Sequence, residues 1–232
     1  MNKRRWIAAF LIILALSHIS CGWKDYEYPP GRVDENRLAE ALASREQENP
    51  PPLTMLQAYQ IAQERATEWS DDSYLVYMAG NISEDEPYHY NFRTPNKWGW
   101  SCIGGPAYTD MDIRVDPSNG EITRFQEIGQ PELFLGYIDP NAWTVDSPRA
   151  LEIAEASGGK SFWDRHTGSS DPSIIGYETF NGWLVVYASG NPEDGEKVLN
   201  SRFEVEIDPY TGSTRIVEDT DGVSGQKVIP GE

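Results

Sequence analysis

The side chains able to do chemistry are few and scattered. They comprise thiols at Cys21 and Cys102, imidazoles at His89 and His166 beyond the first 20 residues, and an abundance of carboxylates. A metal or hydrolytic site needs several such groups to converge. His166 stands between Arg165 and Thr167 in a polar loop context, and His89 belongs to the strand-like run Tyr88-His89-Tyr90. Both are expected to be structural or surface residues. Asp110 and Asp112, two apart, share the outward side of a strand. They would serve acid–base chemistry only if a cleft raised one pKa, so a solvated charged face is expected. There is no Gly-rich phosphate loop, nucleophile elbow or HExxH helix. Asp219-Thr220-Asp221-Gly222 begins like a calcium loop but has Val228 where the bidentate Glu belongs. No catalytic, metal or cofactor-binding residue is assigned, so the chain is expected not to be an enzyme and to need no cofactor.

Cys21 has a more definite context. Lys3, Arg4 and Arg5 precede an apolar run from Trp6 to Leu16, and Ser17, His18, Ile19 and Ser20 lead to the cysteine. A basic start followed by a short apolar run is an export signal. It is too short to span a bilayer, which takes about 20 apolar residues. The segment resembles a bacterial lipoprotein signal, with His18 where Leu is usual. The resemblance implies cleavage after residue 20, a lipid on Cys21, and a mature protein on the extracytoplasmic face of the cell membrane or outer membrane. The alternatives are an ordinary signal peptide cut near Ser20 or an uncleaved anchor; without lipid on Cys21, Cys21 and Cys102 are the one pair able to form a disulfide. With lipid on Cys21, Cys102 in Trp100-Ser101-Cys102-Ile103 reads as a buried strand thiol.

The formal net charge of -18 argues against nucleic acid and anionic head groups as partners. The 8 Trp, 12 Tyr and 7 Phe supply enough large apolar surface for a folded core. Gly22 to Pro52 differs, with Pro29-Pro30 at one end and Pro50-Pro51-Pro52 at the other. Residues 21–52 are therefore expected to form a tether, extended where proline-rich, with a marginal helix as an alternative for its polar middle, Val33 to Asn49. Among the aromatics, Trp98, Trp100, Trp183 and Tyr210 are candidates for an exposed partner-binding patch, because Trp and Tyr dominate binding hot spots. Most aromatics must still be core, and Tyr210, in a turn, is the best candidate for exposure.

The elements that would position these residues occur twice. Ala58, Ile61 and Ala62 recur 92 residues on as Ala150, Ile153 and Ala154, and Asp116-Pro117 with Gly120 recurs as Asp208-Pro209 with Gly212. A third echo, Val76 to Asn81 against Val186 to Asn191, is shifted by 110 and implies compensating insertions. Thr54 and Gln57 have capping-box spacing before a helix whose apolar face is Met55, Tyr59, Ala62, Ala66 and Trp69. Ser147 is the expected N-cap of a second helix, with Pro148 first and Gly158-Gly159 as its stop. Strands are expected at Tyr74 to Ala79, Trp98 to Ile103, Asp110 to Val115 and Glu121 to Glu127. Their counterparts are Ile174 to Thr179, Trp183 to Ser189, Arg202 to Ile207 and Ser213 to Val217. Met111, Ile113 and Val115, like Phe203, Val205 and Ile207, alternate with charged residues, as in an antiparallel sheet with one face on a core. Asp-Pro-x-x-Gly after each is a hairpin turn.

The expected class is α+β, with two tandem repeats, each an N-terminal helix on an antiparallel sheet of three to four strands. The divisions are 1–20 signal, 21–52 tether, 53–128 first repeat, 129–144 linker, 145–218 second repeat and 219–232 disordered tail. The helix Ala150-Leu151-Glu152-Ile153-Ala154 and the run Phe203 to Gly212 resemble the PepSY family of small extracytoplasmic modules. The first copy is similar at its helix and at Ile113 to Gly120. The tandem layout also resembles beta-lactamase inhibitor protein. These resemblances imply binding of a protein partner rather than catalysis, with inhibition or regulation of a cell-envelope peptidase. A structural or assembly component of the envelope is the alternative.

Overall fold

The computed structural model describes residues 29–45, 50–81, 86–95, 108–128, 136–166, 172–177, 182–189 and 201–220. The elements in chain order are α1 (Glu35–Ser44), α2 (Met55–Trp69), β1 (Tyr74–Asn81), β2 (Tyr88–Pro95), β3 (Tyr108–Val115) and β4 (Ile122–Ile128). A short 3-10 turn, Pro140–Ala142, precedes α3 (Ser147–Ala154), a π turn over Glu155–Gly159 and α4 (Lys160–Arg165). Then come β5 (Ser173–Tyr177), β6 (Gly182–Ser189), β7 (Ser201–Ile207) and β8 (Thr214–Thr220). The class is α+β: helices on an antiparallel sheet of eight strands ordered β4-β3-β2-β1-β5-β6-β7-β8.

The two sets of strands therefore share one sheet, joined where β1 pairs with β5. Ala79 lies opposite Ile175 there, with Met78 opposite Gly176 and Gly80 opposite Ile174. That register is self-complementary, because Met78 and Ile174 hold matching places in their halves, as do Gly80 and Gly176. Strand β1 thus matches β5 in position, and β2 matches β6. The 110-residue echo joined β1 to β6, strands that do not correspond in the sheet. Strand β2 contains the strand-like run Tyr88-His89-Tyr90 and extends it to Pro95, though it was not in the set of strands expected to repeat; the expected strand Trp98 to Ile103 lies outside the described residues.

One sheet face carries the core. Phe92 and Tyr90 of β2 pack with Tyr59 of α2, and Tyr187 and Phe203 pack with Phe162 of α4. The expected apolar face of α2 is buried at Met55, Tyr59, Ala62 and Ala66, with Trp69 partly buried. Each large buried side chain contributes about 1.5–3 kcal/mol over its exposed state. Thr54 caps α2 through the capping box with Gln57. The N-cap of α3 is Asp146, one residue before the expected Ser147, since the Asp146 carboxylate accepts from Ser147 N. The helix also continues past Gly158. That glycine, at φ 125°, lets the chain bend through the π turn, and α4 resumes to Arg165.

The backbone hydrogen bonds of the Asp-Pro-x-x-Gly turns match at a spacing of 92. Gly120 N donates to Asp116 O and Gly212 N to Asp208 O. Both glycines are left-handed, at φ 64° and 72°, a region other residues adopt at a cost. Pro117 O accepts from Leu53 N, and Pro209 O from Val145 N, so each turn fastens the residue before a helix N-cap.

The tether requires correction between residues 29 and 45. Asp34 caps α1, whose Ala41 is buried in the core, and α1 packs on α2. Gly31 N donates to Ser73 O at 2.8 Å. Asp34 N reaches Gln60 Oε1 at 2.7 Å, and Arg37 Nη2 reaches Trp143 O at 3.0 Å. The linker is likewise part of the fold where it is described. Ile138 bridges to Leu75, and Trp143 is buried against Trp183 at 4.8 Å between ring centroids. The tail begins later than expected, because Asp219 and Thr220 belong to β8. They are thus paired with β7 rather than opening a calcium loop; Asp221 and Gly222 lie outside the described residues.

Candidate binding face

Among the described residues the helices lie on one side of the sheet, and the opposite side is lined by the alternate residue of each strand. Across it runs a row set by the ladder: Arg124, Arg114, His89, Ala79, Ile175, Leu184, Glu206 and Arg215. The centre is apolar and small. Ala79, Ile175 and Val186 are half-buried, and Leu184 is buried. Both flanks are charged.

On the β2–β4 flank, Asp112 has an imidazole and two guanidinium groups around it. His89 Nε2 lies 2.7 Å from one carboxylate oxygen, while Arg124 Nε at 2.7 Å and Arg114 Nε at 3.8 Å approach the other. Next along β3, Arg93 grips Asp110 with Nε at 2.8 Å and Nη2 at 2.9 Å. A bidentate guanidinium–carboxylate pair fixes both planes. The expectation of a solvated pair fails here. Asp110 is 1 % and Asp112 2 % exposed, and each has an arginine against its carboxylate. On the opposite flank Arg215 holds Glu206, with Nε at 2.7 Å and Nη2 at 2.6 Å. That hydrogen bond, then the charge of Glu206, raises the Arg215 pKa. Arg202 pairs with Glu204. Tyr77 packs edge-on to His89 at 5.5 Å.

The proposed aromatic patch does not assemble as expected. Trp183 is fully buried, its Nε1–H donating to Val145 O at 2.7 Å, so it belongs to the core rather than to a partner surface. It alternates with Val185 and Tyr187 on the helix side of β6, a pattern that outweighs residue type. Tyr210 is 49 % exposed, in the turn after β7. Trp98 and Trp100 lie outside the described residues, as do Cys21 and Cys102. His166 is half-buried at the end of α4, its ring 4.5 Å from that of Phe162. Among the described residues no group of three His, Cys, Asp or Glu side chains could hold a metal ion. No described helix is long and apolar enough to cross a membrane.

Sequence reasoning missed the arginines that pair with the β3 carboxylates and the apolar centre at Ala79 and Ile175. The first had a visible signal: His89, Asn91 and Arg93 alternate with Tyr88, Tyr90 and Phe92. The second depends on pairing between residues almost 100 positions apart.

No family model matches the chain, and no curated protein matches it. The PepSY resemblance therefore rests on the residues quoted above. Among solved structures, the chain is similar to a proposed lipoprotein from Clostridium difficile 630. The identity is 12 %, the TM-score is 0.42, and the match covers 74 % of this chain and 95 % of that one. At that distance the likeness carries no weight for function.

Proposed function

We propose that this chain is a lipid-anchored extracytoplasmic binding protein, built from two PepSY-like halves, that holds a protein partner on the helix-free side of its sheet and thereby inhibits or regulates a cell-envelope peptidase. The anchor is Cys21, behind the basic and apolar leader. The observation that carries the binding reading is the composition of that side: half-buried Ala79, Ile175 and Val186 at the centre, between ion-paired flanks. An apolar centre within a polar rim is how protein interfaces are built. The peptidase half of the reading comes from the PepSY resemblance. No chemistry is assigned to the charged flanks, because each carboxylate there already has a cation against it.

The test places a photo-crosslinking residue at position 175 in the soluble Gly22 to Glu232 fragment, exposes it to envelope extract and identifies what is captured. Capture of a peptidase whose activity changes on adding the fragment, lost in Ile175→Glu, supports the proposal. Capture of assembly components alone, with proteolysis unchanged, replaces it with the structural role.

A further inference from the structure

The folded part begins much nearer the lipidated cysteine than a tether through residue 52 would place it. Gly31 is bonded to Ser73, and Asn141 Nδ2 donates to Arg32 O at 2.6 Å. Seven residues lie between Cys21 and Pro29, eight steps along the chain. At about 3.3–3.6 Å per residue, that span reaches at most about 28 Å, against about 100 Å for a free chain to residue 52. An anchor at Cys21 therefore holds the folded part within about 28 Å of the bilayer.

The point of attachment lies at one end of the sheet. Ser73 precedes β1, and the same end carries Tyr137, whose ring packs edge-on against Tyr74 at 6.2 Å. The turn Asp208 to Gly212 joins this group, since Thr144 Oγ1 donates to Tyr210 O at 2.8 Å. Ile207, just before that turn, pairs with Trp183, which lies opposite Gly176 at the end of β5 that faces the start of β1. The turn at Asp116 to Gly120 follows the other end of β3, beyond the pairing of Val115 with Tyr88.

We infer that the end of the sheet carrying Tyr137 and Tyr210 is a membrane-contacting surface, seated on the zwitterionic lipid interface and held there by the short connection to Cys21. The inference rests on the lipid anchor proposed above. Tyrosine suits that site, with an apolar ring and a polar tip that match the head-group level. The net charge of -18 disfavours anionic lipid as the contact, so a neutral surface is the fitting partner. The helix-free face then stands roughly perpendicular to the bilayer, open to a partner from the side.

The test uses the full acylated protein in vesicles of phosphatidylcholine and phosphatidylethanolamine. In a Cys102→Ser background, nitroxide labels are attached to Tyr210→Cys and, separately, to Glu121→Cys beyond the opposite turn. Collision with a water-soluble paramagnetic reagent is compared on vesicles and in lipid-free Cys21→Ser protein. The expected result is a several-fold drop at position 210 on vesicles, with position 121 unchanged. Vesicle-bound protein with equal accessibility at the two positions overturns the membrane-contacting surface alone. Failure of the acylated protein to float with vesicles overturns the anchor and this surface together. Urea unfolding of each labelled variant verifies that it is folded.

Discussion

The Thr54 hydroxyl donates to the Asp146 carboxylate at 2.5 Å, joining the N-caps of α2 and α3 across 92 residues. The other Asp146 oxygen accepts from Leu56 N at 3.2 Å and Ser147 N at 2.6 Å, while Ser147 Oγ accepts from Met55 N at 3.0 Å. One carboxylate therefore serves the first turns of two helices, where unpaired N–H groups and the helix dipoles both favour negative charge. Asp146→Ala is expected to cost about 2–3 kcal/mol in urea unfolding, and Thr54→Val about 1–2 kcal/mol. The double variant should cost less than the sum, and strict additivity would show that the two caps are independent.

The Arg93–Asp110 pair should behave as a buried ion pair. Arg93→Met strands a carboxylate that is 1 % exposed, and a loss of about 3–5 kcal/mol is expected. Changing Asp110→Leu as well removes the stranded charge and should restore most of that stability. If the double variant is as unstable as the single one, packing rather than charge governs the site.

Acid should weaken the turns. The carboxyl of Asp116 is held below its ordinary 3.8 chiefly by the Ser118 hydroxyl, and that of Asp208 chiefly by Thr211 N. A depressed folded pKa gives stability that is present above pH 3.8 and lost as pH falls through the folded value. Both groups are exposed, so the effect is small. Asp208→Ala should be less stable than wild type at pH 7 and converge with it in strong acid. A constant gap across that range would mean that the carboxylate form is not what the turn uses.

Alkali should act through Tyr88, which burial, and then the charge of Asp146, pushes up to about 12. A raised folded pKa gives stability that is complete below pH 10 and lost as pH rises through 12. Tyr88→Phe should flatten the loss of thermal stability between pH 10 and 12. An unchanged alkaline profile would place that loss on other tyrosines.

Trp183 and Tyr210, once grouped as one patch, should separate in their effects. Trp183→Ala opens the core beneath Trp143 and is expected to cost about 3–5 kcal/mol. Tyr210→Ala, at an exposed turn, should stay within about 0.5 kcal/mol. Equal losses in urea unfolding would contradict the burial described for these residues.

Much of the fold was legible wherever a signal is local. The Thr54–Gln57 box, the alternation in β3 and β7 and the left-handed Gly120 and Gly212 all follow from a few adjacent residues. What was illegible depends on contacts distant in the chain. Asp146 and Ser147 are both good caps, and only the nearness of Met55 N explains why Ser147 turns to the other helix. The segment around Ala41 is polar and flanked by prolines, and its helix is held by Gln60, Ser73 and Trp143 rather than by its own propensity. The seam between β1 and β5 leaves no mark in either strand alone. For the candidate site, the alternating charges were visible but their pairing was not, because Arg93 and Arg124 reach the β3 carboxylates from the two neighbouring strands.

The seam at Ala79 and Ile175 has one more consequence. The backbone on its two sides is matched, but the side chains at corresponding places are not: Asp110 answers to Arg202 and Arg114 to Glu206, while Asp112 and Glu204 agree. A symmetric scaffold thus carries an unsymmetric pattern of charge: the sign reverses at two places and is kept at Asp112 and Glu204 and at Arg124 and Arg215, so the sheet is keyed at two positions. A partner lying across the seam meets different charges when turned end for end, and the two orientations that the backbone would accept are not electrostatically equivalent.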